Sequence, residues 1–259
     1  MMYTSGTTGR PKGAIITHGT GLLNTMPCRV LHAQHNRREP RPLPLFHIAG
    51  LNTFADPVCH FGGTNIVMSD FDLGACLELL GDEEVGVTHF LGVPTNYVFM
   101  SQHPSFETAT LPTVVAAALG GAPSLLPLLE AWGAEGLALQ QGDGLTETSP
   151  IGTALKPEDT LKKIGSAGLA ALHTEVRVVN ADGNDVVPGE IGEIWTRGPN
   201  VTPVTGSTPR QTKRASSTAT SRPATLPGSA RRDTSVSSIV GKTSISRVAR
   251  TCTRPRSKP

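Results

Sequence analysis

The chain has 259 residues, 37% of them hydrophobic, enough for one large or two ordinary domains around a buried core. A formal charge of +2 conceals a division, because residues 1–203 hold 11 Lys+Arg against 20 Asp+Glu, whereas residues 204–259 hold 12 against the single acid Asp233. Cys28, Cys59, Cys76 and Cys252 lack the paired spacing of a zinc site, a redox motif or a disulfide framework. No apolar run approaches the roughly 20 residues of a membrane span, and the amino end lacks the basic-then-apolar pattern of a secretory signal. The expectation is a cytoplasmic protein with no membrane span.

In chain order, a glycine- and hydroxyl-rich string opens the sequence, and mixed α/β patterning follows as far as residue 203. Residues 63–68 and 85–91 read as buried strands, and Leu73, Leu77 and Leu80 recur at helical spacing over 71–80 between them, as in a crossover helix. Residues 114–118 read as a strand. A glycine turn comes next, then a helix entered at Ser124 and running to about Gly133, then a strand over 137–141. These are βαβ units. Beyond residue 165 the period falls to two: strands at 175–179 and 185–187 flank the turn signal Asn180-Ala181-Asp182-Gly183, and a third strand at 192–197 completes a small antiparallel meander. The boundaries expected are a partial α/β core at 1–164, a β meander at 165–203 and a tail at 204–259. The tail is rich in Thr, Ser, Arg and Pro with no apolar periodicity, so it is expected to be disordered.

Chemistry concentrates in four places. In Tyr3-Thr4-Ser5-Gly6-Thr7-Thr8-Gly9-Arg10-Pro11-Lys12-Gly13, backbone N–H groups freed by Gly6 and Gly9 and the hydroxyls of Thr4, Ser5, Thr7 and Thr8 can converge on a polyphosphate, with Lys12 adding a compact positive charge. A Walker A loop would need Gly before the Lys and Ser/Thr after it, whereas Pro11 and Gly13 flank Lys12 here. A Gly/Thr surface turn is the plainer alternative. Gly120, Gly121, Ala122 and Pro123 fall between a strand and a helix, where a ligand can approach backbone that carries no Cβ; a simple βα turn would look the same. In Gln141-Gly142-Asp143-Gly144-Leu145-Thr146-Glu147-Thr148-Ser149-Pro150, a carboxylate beyond a strand end and beside a hydroxyl is what a hard divalent cation requires. Glu147 is the expected Mg²⁺ ligand and Thr146 a phosphate or carboxylate contact, against the default of an exposed loop glutamate. His47, in Leu43-Pro44-Leu45-Phe46-His47-Ile48-Ala49-Gly50, is by itself an ordinary histidine.

The opening string resembles the signature loop of the adenylate-forming superfamily, and the other three segments follow in that family's order. The resemblance implies an AMP-forming acyl- or aryl-carboxylate CoA ligase of fatty-acyl-CoA or feruloyl/4-coumarate-CoA ligase type, using ATP, Mg²⁺ and coenzyme A on a small-molecule carboxylic acid. The form Gly-Leu-Thr-Glu-Thr is more similar to CoA ligases than to peptide-synthetase adenylation domains, which remain an alternative. On this resemblance Lys12, Thr146 and Glu147 are catalytic. Thr4, Ser5, Gly6, Thr7, Thr8, Gly9, Lys12, Gly120, Gly121, Ala122, Pro123, Gly142, Asp143, Gly144 and Thr146 border the nucleotide. His47, Gly121 and Thr148 belong to an acyl pocket lined by residues 42–52, 93–100 and 120–123. Gly165-Ser166-Ala167-Gly168 and the segment 189–199 match later motifs whose role is structural.

Two departures from the family pattern bear on activity. Asp143 stands where the family has an aromatic that stacks on adenine; a carboxylate has no π-face and repels nearby phosphates. Members of the family also extend upstream of the phosphate loop and beyond a Gly-Pro-Asn segment to a ribose-binding Asp, a hinge and a mobile domain carrying the adenylation Lys. The expectation is therefore a chain truncated at its amino end and frameshifted after Pro203, inactive as written: a non-catalytic remnant or a weak nucleotide- or acyl-binding module. Taking the last base of each preceding codon with the first two of the next, residues 204–206, 216–227 and 246–257 can be read in order as three family segments. A basic arm binding nucleic acid through phosphate charge is the rival reading of the tail and is not favoured.

Overall fold

A computed structural model describes residues 1–4, 11–31, 38–180, 182–187, 190, 192–203 and 205–206. Its elements in chain order are β1 (Met2–Thr4), β2 (Lys12–Ala14), α1 (His18–Leu31), β3 (Arg38–Arg41), α2 (Ile48–Asn52), α3 (Ala55–His60), β4 (Thr64–Val67), α4 (Leu73–Gly81) and β5 (His89–Gly92). They continue with α5 (Pro94–Ser101), β6 (Ala116–Leu119), α6 (Leu126–Ala134), β7 (Leu139–Gly144), β8 (Ile151–Ala154), β9 (Leu169–Ala170), β10 (Glu175–Val179), β11 (Glu193–Arg197) and β12 (Thr205–Gly206).

The core is the sheet β5-β6-β7-β8-β9. Strands β5, β6 and β7 run parallel, joined by α5 and α6 as the βαβ pattern requires, and β8 and β9 extend the sheet antiparallel. Strand β3 pairs in parallel with β4 and lies beside β5, so the 63–68 and 85–91 strands belong to one crossover without being neighbours.

Alternation along the strands sorts the core into two faces. Phe90, Ala117 and Leu119 pack with Leu77, Leu80, Tyr97, Met100 and Trp132 of α4, α5 and α6, whereas Leu91 and Ala118 face Phe54, Val58, Leu43 and Ile151. Covering on both sides explains why all four residues of β5 are buried. Alanines in β6 leave room for aromatic groups above them. The Phe90, Tyr97 and Trp132 rings meet edge to face at 5.4 and 5.0 Å, the Tyr97 hydroxyl donates to Ala118 O at 2.8 Å, and Trp132 Nε1 donates to Tyr97 O at 3.3 Å. Cys76 is fully buried beside Met68, and loss of solvation pushes its thiol up to about 12, so it is inert as a nucleophile.

Several expected boundaries shift for local reasons. Helix α4 starts at Leu73 because the Asp72 carboxylate accepts from Ala75 N at 2.7 Å as its N-cap. The strand expected from residue 85 begins at His89, since Asp82 Oδ1 accepts from Glu84 N and Val85 N and Gly86 turns at φ +61°. Helix α6 starts at Leu126 rather than Ser124, whose hydroxyl is used elsewhere. Strand β7 runs three residues further than expected, to Gly144.

In the meander, β10 pairs directly with β11, Glu175 opposite Arg197. The expected strand at 185–187 reduces to a bridge between Val179 and Asp185, with Asn180 Oδ1 accepting from Asp182 N and Asn184 N to close the turn. Part of the expected disordered tail is also ordered: Thr205 and Gly206 pair antiparallel with Ala14 and Gly13 of β2, a contact that needs main-chain groups alone. Residues 204 and 207–259 lie outside the described residues, as does most of the glycine-rich string, residues 5–10. Among the described residues no helix is long and apolar enough to cross a membrane.

Candidate active site

The glycine-rich string begins in β1 and ends in β2. Strands β1 and β2 pair antiparallel with Thr4 opposite Lys12, so the two ends of the string are held together at its mouth. Ser5, Gly6, Thr7, Thr8 and Gly9 fall outside the described residues; Thr4 and the backbone of Lys12 are placed. Gly13 leaves space for the Met1 side chain, which a Cβ there would overlap.

Glu147 and Thr146 stand in a 3₁₀ turn, Thr146–Thr148, directly after β7, and β1 lies against that turn. Both residues are half-buried. Thr202 ties the two pieces together: its backbone N–H donates to Glu147 O at 2.7 Å and its hydroxyl donates to Ile15 O, just past β2, at 2.7 Å. Asn200 reinforces the turn, donating from Nδ2 to Thr148 O and Ile151 O at 3.0 Å each while accepting from the Thr174 hydroxyl. From α1, Asn24 Oδ1 accepts from Ile151 N at 3.3 Å and its Nδ2 donates to Asn52 O.

Thr148 is buried, and its hydroxyl is engaged within the turn, accepting from Leu145 N at 2.8 Å and donating to Pro150 O. Ser149, fully buried at φ +65°, follows it. The side chain of Thr148 thus shapes the turn that presents Glu147.

The remaining nucleotide-side candidates cluster at the carboxyl ends of β6 and β7. Gly121 adopts φ +79°, and a Cβ on Gly120 would come within 3.1 Å of Gly142 O, so both glycines are required for the loop to lie against β7. Gly144 lies against Pro150 O too closely for any side chain. Asp143 pairs across the strands with Thr153 of β8. Burial pushes the Asp143 carboxyl up from 3.8 to about 6, partly offset by a hydrogen bond from the Gly144 backbone.

His47 is exposed at the start of α2, where Nδ1 accepts from Ala49 N at 3.2 Å as the helix cap. This bond places the proton of the neutral ring on Nε2.

For a metal, no group of three or more His, Cys, Asp or Glu that could hold an ion exists among the described residues. Magnesium bound with a nucleotide takes one or two carboxylates and completes its shell with phosphates and water, so the half-buried Glu147 fits that donor set and does not fit an all-protein cage. No local pattern marks Gln141, Asn200, Thr202 or Asn24 as site-building groups, because a buried amide or hydroxyl is recognisable only once its backbone partners are in place.

The sequence pattern of the family described as AMP-binding enzyme matches residues 1–204. A feruloyl-CoA synthase of an Amycolatopsis species is 42% identical over 204 residues, which cover 78% of this chain and 41% of that protein. An indoleacetate–CoA ligase of Aromatoleum aromaticum is 38% identical over 200 residues, covering 77% and 39%. Among solved structures, the O-succinylbenzoate coenzyme A synthetase of Bacillus subtilis, in complex with ATP and magnesium ion, superposes with a TM-score of 0.71 at 32% identity, covering 79% of this chain and 42% of that one. The fatty acyl CoA synthetase of Mycobacterium tuberculosis gives 0.75 at 33%, covering 82% and 41%. The chain spans about two fifths of the length of the curated relatives it matches.

The Asp143 shift fixes a pH dependence of stability. A raised folded value means that the native chain holds this proton more tightly than the unfolded chain, so ionisation opposes folding. The penalty is absent below 3.8, accrues between 3.8 and about 6, and is constant above; two pKa units set its ceiling at about 3 kcal/mol. Asp143→Asn is expected to stabilise the protein by about 1–3 kcal/mol at pH 8 and by nothing below pH 3.8, as read from urea unfolding at the two pH values.

Proposed function

We propose, from the premise that the chain belongs to the AMP-binding enzyme family, that it supplies the nucleotide-binding part of a carboxylate–CoA ligase. The observation that carries the reading is the meeting of the β1–β2 hairpin mouth with the Glu147 turn, fastened by Thr202. A polyphosphate held in the hairpin loop would present its oxygens toward the Glu147 carboxylate on the neighbouring turn.

In the first half-reaction a substrate carboxylate oxygen attacks the α-phosphorus of ATP; the bond to pyrophosphate breaks and an acyl-adenylate remains. The CoA thiol then adds to the acyl carbon, giving up its proton, and AMP departs with the bonding pair. For this chain the work is positioning and charge neutralisation. Lys12 and the hydroxyls of Thr4, Ser5, Thr7 and Thr8 bind the phosphates; Thr146 contacts phosphate or carboxylate; Glu147 holds Mg²⁺, whose charge, when bound, offsets that of the phosphates. Gly120, Gly121, Ala122, Pro123, Gly142 and Gly144 border the base and ribose, with Asp143 beneath the base in place of an aromatic ring. His47 and Gly121 line the acyl pocket.

An aryl-substituted acid is the favoured substrate class, supported by the names of the 42% and 38% identical relatives. The matched segment is a minor part of those ligases, so the complete reaction is proposed for the whole protein and MgATP binding for the chain itself. A non-catalytic nucleotide- or acyl-binding role is the second reading, supported by Asp143 standing where the family pattern has an aromatic ring. The residues beyond the matched segment we attribute to a shifted reading frame, supported by the match ending at residue 204. The codons of the gene decide this: a codon set that cannot yield the three shifted segments removes the explanation.

The functional reading is tested by equilibrium binding of ATP to the purified chain with and without Mg²⁺, and by pyrophosphate release with ferulate, indoleacetate and octanoate. Magnesium-dependent ATP binding that Glu147→Gln weakens at least tenfold is the expected result, with any turnover greatest for an aryl acid. Absence of magnesium-dependent binding in a folded chain contradicts it.

A further inference from the structure

Gln141, at the end of the buried part of β7, is 2% exposed, and it is polar where its strand neighbour Leu139 is apolar. Its side-chain amide spans a gap of 17 residues to the loop after β6. Oε1 accepts from both Ser124 N at 3.1 Å and Ser124 Oγ at 2.8 Å, and Nε2 donates to Ala122 O at 3.1 Å, with a longer reach to Gly142 O at 3.5 Å. The amide orientation is forced, because Ser124 N–H can only donate and therefore requires the oxygen on its side. All four hydrogen-bonding positions of the glutamine are used.

The segment it grips has little rigidity of its own. Gly120 and Gly121 are free to take many conformations, and Gly121 sits at φ +79°. Ser124, which could have capped α6, instead commits both its N–H and its hydroxyl to Gln141, and the helix begins two residues later. The clamp therefore ties the loop after β6, residues 122–124, to the end of β7, next to the point where Gly120 lies against Gly142 O.

We infer that Gln141 is a positioning residue for nucleotide binding, holding residues 120–124 at the height from which the glycine loop borders the base. The inference rests on the MgATP reading above. It acts through the loop and not by contact with the phosphates, so its loss weakens binding while leaving the hairpin and Glu147 in place.

Gln141→Glu separates this role from general packing. A carboxylate still accepts from Ser124 but cannot donate to Ala122 O and instead faces that carbonyl with like charge; protonation restores the donor. Relative to wild type measured at the same pH, Gln141→Glu is expected to raise the MgATP dissociation constant about tenfold at pH 8 and to recover to within about threefold at pH 5.5. Gln141→Leu should show the loss at both pH values and faster amide exchange at Ser124. If Gln141→Leu does not fold, the Glu variant compared at the two pH values still separates the two roles. Wild-type chain that fails to bind MgATP overturns the functional reading and this role with it. Wild-type binding with folded variants of unchanged affinity, or unchanged exchange at Ser124, overturns the inference about Gln141 alone.

Discussion

Two hydrogen bonds from one threonine join the halves of the candidate site. The segment that carries the phosphate string and the turn that carries Glu147 are more than 130 residues apart in sequence, and Thr202 donates to both, from its N–H to Glu147 O and from its hydroxyl to Ile15 O. Each bond is individually worth about 1 kcal/mol net. Pairing of Thr205 and Gly206 with β2 continues the same fastening along the chain. The hairpin's position relative to the carboxylate thus depends on a short stretch around residues 200–206.

Beneath that fastening, the parallel strands provide a rigid floor. Their two covered faces leave the carboxyl ends of β6 and β7 as the place where backbone turns outward, which is where ligands bind in open α/β sheets. Small residues recur there for a reason of space: Gly120 against Gly142 O, Gly144 against Pro150 O, and, one strand over, Gly168 against the backbone of Ala154. Polar side chains close the gaps between these turns, with Gln141, Asn200 and Asn24 each bonding main-chain groups from distant parts of the sequence.

Legibility in the sequence followed the range of the interaction. The strands at 63–68, 85–91, 114–118 and 137–141 and the helices α4 and α6 are legible because alternation and helical spacing are local signals, and the strand expected at 175–179 matches β10 to the residue, whereas helix α5 (Pro94–Ser101) is not anticipated. The start of α6 is not legible, because Ser124 is a good N-cap by type and only the placement of Gln141 reveals that its hydroxyl is committed elsewhere. Nor is the short β1–β2 pairing, whose three-residue strands carry no apolar periodicity. The strand expected at 185–187 has the right composition but reduces to one bridge, Val179 with Asp185, on the edge of β10 opposite β11. Motif reading picks out Glu147, the glycine loop and the opening string, and the fold sets the turn carrying Glu147 against β1, where that string begins. For Thr148, placed in the acyl pocket by the resemblance, the structure shows the hydroxyl bonded within the turn.

The central claim is that the opening string and the Glu147 carboxylate serve one bound nucleotide. A double-mutant cycle on MgATP affinity tests it most directly, with Lys12→Met, Glu147→Gln and the pair. Groups that act on the same phosphate chain should be coupled, with an interaction free energy of about 1 kcal/mol or more. Strictly additive losses, or a loss from one substitution and none from the other, would contradict it.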